Sequence, residues 1–532
     1  MKKVYVADYG ITPGDNKDHG PAIKQAIEDA IKFDSAQVIF EAGKYYICES
    51  EEDAIIDLKN VYNLTVSGAT DSEGNPATLL EFNRTLGNDV PIKDHIRMEN
   101  SQNIKIENLV FDYTQRGNSA GKIISVDREN DTVTVEVLEG LSHFEGMKCY
   151  SANAWDLKTK ELLHVLPITI GVDHSKFLNT FHHVDGANER TYAIANMDFS
   201  DRVNVGDGLS WHFNVMIGNY QSCNIIRVFN TNNLVLENLR INSCNGPVGV
   251  ITYSENISMK RVTVKPEGNS LAVCSRDAFW LCCNSGKFIA EDVYIKGVRW
   301  DPFNVRSGFA KVTAISEDRK QITAECFEEA RNPANAGQKL IVWDGEEPQE
   351  NQIVDSKEDA ENQVVVINLE REVPKETAVG SFVTPGGWLF DEAVFRNVTI
   401  EGNCGTAILY QNHNLLVENC RFGNNTYDDI CLGPIDRGEG VFARNVIIRN
   451  SEFNNSTWVH KNASAPNGDN AIHDAAISVQ SAYVALSDRP YNGNIVIENN
   501  IFRNENTAIR LKCSQNVTIK DNIYENVGTE VK

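Results

Sequence analysis

One phrase recurs along this chain: an Asn, an apolar/any/apolar alternation, a Glu or Arg, often another Asn, and a second alternation. It reads NLTVSG from Asn63, NIKIENLVFD from Asn103, NLVLENLRIN from Asn233 and NISMKRVTVK from Asn256. It returns as NLLVENCRFG from Asn414, NVIIRNSEFN from Asn445, NIVIENNIFR from Asn494 and NVTIKDNIYE from Asn516, with degenerate copies at Lys287 and Ala393. The tightest spacings, Asn233 to Asn256 and Asn494 to Asn516, are roughly 22 to 23 residues, the length of one solenoid coil of three short strands. Within each copy the period is two, so alternate Val, Ile and Leu enter the coil while Glu, Lys and Asn face out. Asn suits left-handed corners and stacks on the Asn of the next coil. The chain is therefore expected to be all-β, a right-handed parallel β-helix.

Two stretches lose the phrase, from about 116 to 200 and from about 309 to 385. Each contains an alternating strand, a polar turn and a second alternating strand, GKIISVDRENDTVTVEV in the first and AKVTAISEDRKQITAEC in the second. These are β-hairpins, and both stretches read as β-barrel-like insertions in solenoid turns, walling a binding face. Near the N-terminus Ile23, Ala26, Ile27, Ala30 and Ile31 recur at helical spacing after Pro21, which predicts a capping helix over the open first coil. The expected division is a cap and first coil over 1–60, β-helix over 61–115, an insertion over 116–200, β-helix carrying the candidate site over 201–308, a second insertion over 309–385, and closing coils over 386–532.

Composition narrows the partners. Of 532 residues, 50 are Lys or Arg and 74 are Asp or Glu, a formal charge of -24, which repels nucleic acid and anionic membranes and suits neutral substrates. The opening residues lack an apolar signal core and no run reaches membrane-spanning length, so the expectation is a cytoplasmic chain, or a secreted one if trimmed. The 12 cysteines lack paired CxxC spacing and read as reduced core residues. Adjacent His182 and His183 point apart on a strand, and His473 with Asp474 lacks a third ligand, so no metal site is read and no cofactor is expected. No P-loop, dinucleotide fingerprint or GxSxG elbow occurs.

Chemistry must come from side chains that break the repeat on one face. The richest window runs from Ser275 to Ser307, where Asp277 and Asp301 lie about one coil apart and so on neighbouring rungs, near Trp280, Trp300 and Phe303. Two carboxyls in such surroundings can have their acidities pushed apart and serve glycoside hydrolysis, one protonating the leaving oxygen and the other activating water. The plainer alternative is that both aspartates cap turns. Trp211 and His212, at the exit of the first insertion, are candidates for the pocket rim, with a packing role equally open.

The order of parts, a helical cap, FEAGKYYI, NIKIENLVFDY, an insertion, NLVLENLRIN, SRDAFW, a short coil, WDPFNVRSG, a second insertion and further coils, resembles glycoside hydrolase family 110 over nearly the whole chain. That resemblance implies a pectate-lyase-like right-handed β-helix that removes terminal α-1,3-linked galactose with inversion and without metal. It maps Asp277 onto one acidic position and Asp301, with Asn304 and Val305, onto another. Trp300 stands where the family has a further Asp, and Arg306 where a His is usual. A replacement carboxyl is sought among Asp428, Asp429, Asp436 and Glu439. Asp428 and Asp429 are read on balance as a solvated turn.

The expected function is an exo-acting, inverting glycosidase on an α-galactoside or related neutral sugar, with Asp301 the general base and Asp277 either the proton donor or an orienting group. Trp280, Trp300, Asn304, Arg306, Arg276, Trp211 and His212 are the substrate-binding candidates. A polysaccharide lyase or epimerase is the second reading, disfavoured by the sparse cations near Asp301, chiefly Arg276, Arg299 and Arg306. A non-catalytic carbohydrate-binding or structural solenoid is the third. A carbohydrate is the expected partner, and a homodimer through flanks or insertions remains open.

Overall fold

The computed structural model describes residues 1–48, 54–83, 85–88, 94–164, 179–196, 200–213, 225–326, 336–344, 347–359, 361–362, 364–434, 440–458, 474–481 and 489–532. Their path is a parallel β-helix. Each coil starts with a short strand in an eleven-stranded parallel sheet, turns a corner, and continues through a second, twenty-one-stranded parallel sheet. The coil from Ile226 to Ile241 shows the rule. Ile226, Val228, Leu234, Leu236, Leu239 and Ile241 are buried in the core, and the residues between them alternate outward. Glu237, on the outer side, pairs with Lys105 (2.7 Å) and Arg261 (2.5 Å) on the coils either side.

Asn makes the corners. Asn230, Asn233 and Asn238 have φ of +47°, +56° and +53°. That conformation costs most L-residues about 1–2 kcal/mol, and Asn tolerates it because its short amide bonds locally. The amides also join coil to coil. Asn103 Nδ2 donates to Asn63 Oδ1 (2.7 Å) and Asn233 Nδ2 to Asn103 Oδ1 (2.8 Å), while Asn445 donates to Asn414 (2.9 Å) and Asn494 to Asn445 (3.0 Å). The recurring Asn is thus a hydrogen-bonded ladder along the molecule.

The helix Gly20–Ala30 buries Ile23, Ala26, Ile27 and Ala30 against the first coils, with Pro21 in its first turn. Ile31, expected on the same face, follows the last turn and is 40% exposed. The ten cysteines with described side chains are free thiols, eight of them buried.

Both insertions are β-structures. The first is an eight-stranded sheet around Trp155, Phe181 and Trp211, and includes the expected hairpin, Gly121–Asp127 against Thr132–Val137. It runs past the boundary expected near residue 200, because Gly208–His212 pairs with both Asn118–Lys122 and Ser151–Trp155. The second, from Ala310 to Pro385, is a closed six-stranded barrel opened by the hairpin Ala310–Ile315 and Gln321–Cys326. An aromatic cluster of Phe309, Trp343, Phe442 and Tyr491 seats this barrel on the solenoid.

Candidate active site

Phe279, Phe303, Ile408 and Ile430 are paired on successive rungs of the eleven-stranded sheet, with their side chains in the core. Two residues earlier on each rung stand Asp277, Asp301, Thr406 and Asp428. The rung-to-rung bonding continues through this turn. Ala278 N donates to Asp301 O (3.0 Å), Thr406 N to the Asp301 carboxylate Oδ1 (2.8 Å), and Ala407 N to Asp428 O (3.0 Å). Three carboxyls far apart in sequence therefore share one column, and adjacent rungs lie about 4.8 Å apart. Gly405 makes the stacking possible: a Cβ there would meet the Trp300 carbonyl carbon at 2.3 Å and Asp301 Oδ1 at 2.6 Å.

The column is buried. Asp277, Asp301 and Asp428 are 1%, 4% and 0% exposed. Burial pushes the Asp277 carboxyl above the usual carboxylate range, against the pull of Arg276, Arg306, the Asp301 backbone amide and Asn304. Asn304 Nδ2 lies 3.4 Å from Asp277 Oδ2. Asp428 and Asp301 converge electrostatically on Cys431, one position along the sheet: with burial, their charges push its thiol well above the ordinary value. Buried polar atoms are nearly always hydrogen-bonded, yet Asp277 Oδ1, Asn304 Oδ1 and Ser478 Oγ, on the outer side of this sheet, have no partner among the described residues. Such a cluster marks a polar patch beside the column whose unmet acceptors and hydroxyls suit hydroxyl-rich matter.

The other candidates divide. Arg306 lies over the Trp280 ring, 4.6 Å from its centre, so the two form one wall beside Asn304. Arg276 flanks Asp277 and is half-buried. Trp300 turns away from the column, packing edge-on to Tyr427 (5.8 Å) against the core of the first insertion. Of the two roles open for Trp211, packing holds: it is 0% exposed at the centre of the first insertion, 4.3 Å from the Phe181 ring. His212 is also buried, its Nε2 3.0 Å from Cys274 O. Arg299 does not serve the polar patch either. It crosses to the first insertion, donating to Asn153 Oδ1 (2.8 Å), Ser210 Oγ (2.8 Å) and Ser151 O (3.2 Å).

The turn holding Asp428 and Asp429 is not solvated as expected, since both residues are fully buried. The neighbours diverge. Asp429 accepts from Asn425 Nδ2 (2.8 Å) and Ser456 Oγ (2.7 Å), and burial together with Glu505 holds its carboxyl well above the usual range, making it part of an interior polar ladder. Asp436, Glu439 and His473 lie outside the described residues. His182 bonds Glu145 (2.6 Å) on the insertion surface, and Asp474 pairs with Lys532 (2.8 Å) and Arg510 (3.0 Å).

Residues 382–530 match the family described as the right-handed beta helix region. The solenoid is a right-handed β-helix. Among curated proteins, alpha-1,3-galactosidase B of Akkermansia muciniphila is similar at 22% identity over 548 residues, covering 94% of this chain and 63% of that protein. The chain thus spans less than two thirds of the relative's length. Among solved structures, a mannuronan C-5 epimerase A-module of Azotobacter vinelandii is similar at 11% identity and a TM-score of 0.43, covering 99% of this chain and 97% of that one. An exopolygalacturonase of Thermotoga maritima is similar at 11% identity and a TM-score of 0.36, covering 98% and 92%.

Proposed function

We propose that this chain is a glycoside hydrolase that releases a terminal α-galactoside, or a closely related neutral sugar, by an exo-acting, inverting reaction. The observation that carries this reading is the column of Asp277, Asp301 and Asp428 beside buried polar atoms that no described protein group satisfies. The similarity to the Akkermansia muciniphila galactosidase supports the choice of sugar.

Inverting glycosidases hold their two carboxyls roughly 6.5–9.5 Å apart to admit a water, whereas retaining enzymes hold them about 5–5.5 Å apart. One rung is about 4.8 Å and two rungs about 9.6 Å. The pair nearest the inverting range is Asp301 with Asp428, across Thr406, at its upper edge. Asp301, fixed by the Thr406 amide, is the general base that activates water; Asp428 is the acid that protonates the leaving oxygen. Asp277, whose carboxyl burial pushes above the usual range, holds a sugar hydroxyl. A second reading pairs Asp277 with Asp301 as a retaining couple, favoured by their single-rung spacing. A polyuronate lyase or epimerase fits less well, because an acidic column with chiefly Arg276 and Arg306 beside it offers an anionic substrate little counter-charge.

The test uses an aryl α-galactoside and an α-1,3-linked galactosyl disaccharide, with the first-formed anomer of released galactose read by proton NMR. Inversion is expected, and Asp301→Asn should lower kcat/KM on both substrates by about 10²–10⁴-fold. Asp428→Asn should lose most on the disaccharide and keep more on the aryl glycoside, whose good leaving group needs little protonation. A retained anomer moves the assignment to Asp277 and Asp301. Binding without turnover across sugars returns the protein to a carbohydrate-binding role, and an ultraviolet-absorbing product to a lyase.

A further inference from the structure

Away from the acidic column, at the first corner of each coil, a separate cleft of about 740 Å³ lies between the solenoid and the short helical turn Gly386–Trp388 at the exit of the barrel. Its volume is within the range of about 300–1,000 Å³ usual for ligand sites. Nothing in the proposed reaction uses it.

The corner residues explain how it is built. In register, the corner position on successive coils is Asn60, Asn100, Asn230, Tyr253 and Cys283, with φ of +55°, +50°, +47°, +51° and +55°. Asn is the natural occupant. A tyrosine in this conformation is a bulky side chain held against its backbone preference, and such strain persists where function requires it. Tyr253 appears on the coil that faces Trp388, and its ring meets Phe229 edge-on at 5.6 Å. Tyr62, 55% exposed, adds a further aromatic face to the cleft.

The rest of the lining sets the ligand's chemistry. Among the described residues it consists of amides and hydroxyls such as Asn230, Asn232, Ser285 and Gln338, with Glu255 the one carboxylate and no Lys or Arg. Amides and hydroxyls satisfy sugar hydroxyls, and aromatic rings pack on the apolar faces of pyranoses. With no cation present, an acidic glycan or a phosphate finds no counter-charge. Along the extended strand, Asp277 and Cys283 are about 20 Å apart at about 3.3 Å per residue, and the buried patch of Trp280, Cys282, Cys283 and Trp388 separates the cleft from the column.

We infer that this cleft is a second carbohydrate site, which holds a neutral oligosaccharide on the platform of Tyr253 and Tyr62 at a distance from the carboxylates. A protein gripping a glycan there and cutting elsewhere gains avidity for long or clustered chains over small glycosides.

The test is a glycan array of neutral and acidic oligosaccharides, followed by calorimetric titration of the strongest neutral binder. Tyr253→Asn restores the residue that the three preceding coils carry at this corner, so its melting temperature should equal or exceed that of the native protein. Its affinity should fall at least about tenfold, as should that of Tyr62→Ala, while turnover of an aryl α-galactoside stays unchanged. Asp301→Asn should bind as the native protein does, so a failed hydrolase assignment remains distinguishable from a failed cleft. Unaltered binding by Tyr253→Asn, a preference for acidic glycans, or no neutral binder on the array would each overturn the proposal.

Discussion

Arg299 joins the two halves of the site's surroundings although no carboxylate pairs with it. It is fully buried, donates to backbone and side-chain oxygens of the first insertion, and burial lowers it to about 10, so it stays charged at neutral pH. Arg299→Ala would take a donor from Asn153 Oδ1 and Ser151 O, at about 1–3 kcal/mol each when unsatisfied, while Ser210 Oγ keeps Trp155 Nε1 (2.7 Å). The expected result is a fall of several degrees in melting temperature, with a drop in turnover because Asp301 lies two residues on. Two histidines set a pH dependence. His95, stacked 3.6 Å from Phe82, and His413 are buried and pushed down to about 3. Both are neutral in the fold, while an unfolded histidine titrates near about 6.5. Below that value the unfolded chain takes protons first, so their contribution is full above about 6.5 and is lost as pH falls toward about 3. Melting temperature measured across this window should decline, and His95→Asn with His413→Asn should flatten the slope. At this scale the sequence was only partly legible. Asp277 and Asp301 fall one coil apart and were visible as rung neighbours. Asp428 was not, because a whole barrel interrupts the count between Asp301 and Thr406, and its neighbour Asp429 made the pair look like an ordinary polar turn. For Trp211 the sequence leaves rim and packing roles equally open, because a tryptophan beside a histidine at an insertion's end looks the same whether it faces a pocket or a core.

Among the elements, the Asn ladder is what the repeat phrase encodes most directly. Asn445 has φ +58°, donates to Asn414 and accepts from Asn494. Asn445→Ala loses both bonds and meets the left-handed penalty of about 1–2 kcal/mol, whereas Asn445→Gly escapes the penalty. Chemical denaturation of the two variants should rank them in that order. Gly405→Ala is a sharper case, since the added methyl would collide with backbone rather than with a side chain that can swing aside. It should reduce turnover while leaving the Asn ladder and the far coils intact. The hairpins of both insertions were readable from period-two alternation around polar turns. The last strand of the first insertion, Gly208–His212, was not, because its five buried residues carry no alternation and only pairing partners on both sides reveal where it belongs.

Over the whole molecule, a solenoid's coils touch only their neighbours, so its stability is close to a sum of local terms. The barrel is an appendage to that sum. Trp343, 0% exposed, contacts Phe309, Phe442 and Tyr491 across the junction. Trp343→Ala should cost about 3–5 kcal/mol at this joint. Limited proteolysis should then cut between 309 and 385 much faster, with the coils beyond Phe390 still protected. The column of carboxyls adds a last consequence. Its spacing is counted in coils, as on a vernier, and is indifferent to how much chain is spliced into each turn. Grafting one complete additional coil between Gln411 and Ile430 would slide Asp428, with every coil after it, one notch, about 4.8 Å, farther from Asp301, while Asp277, Asp301 and Asn304 keep their places. Such a lengthened protein would fold and still hold sugar, but the gap meant for a single water would have become too wide to bridge.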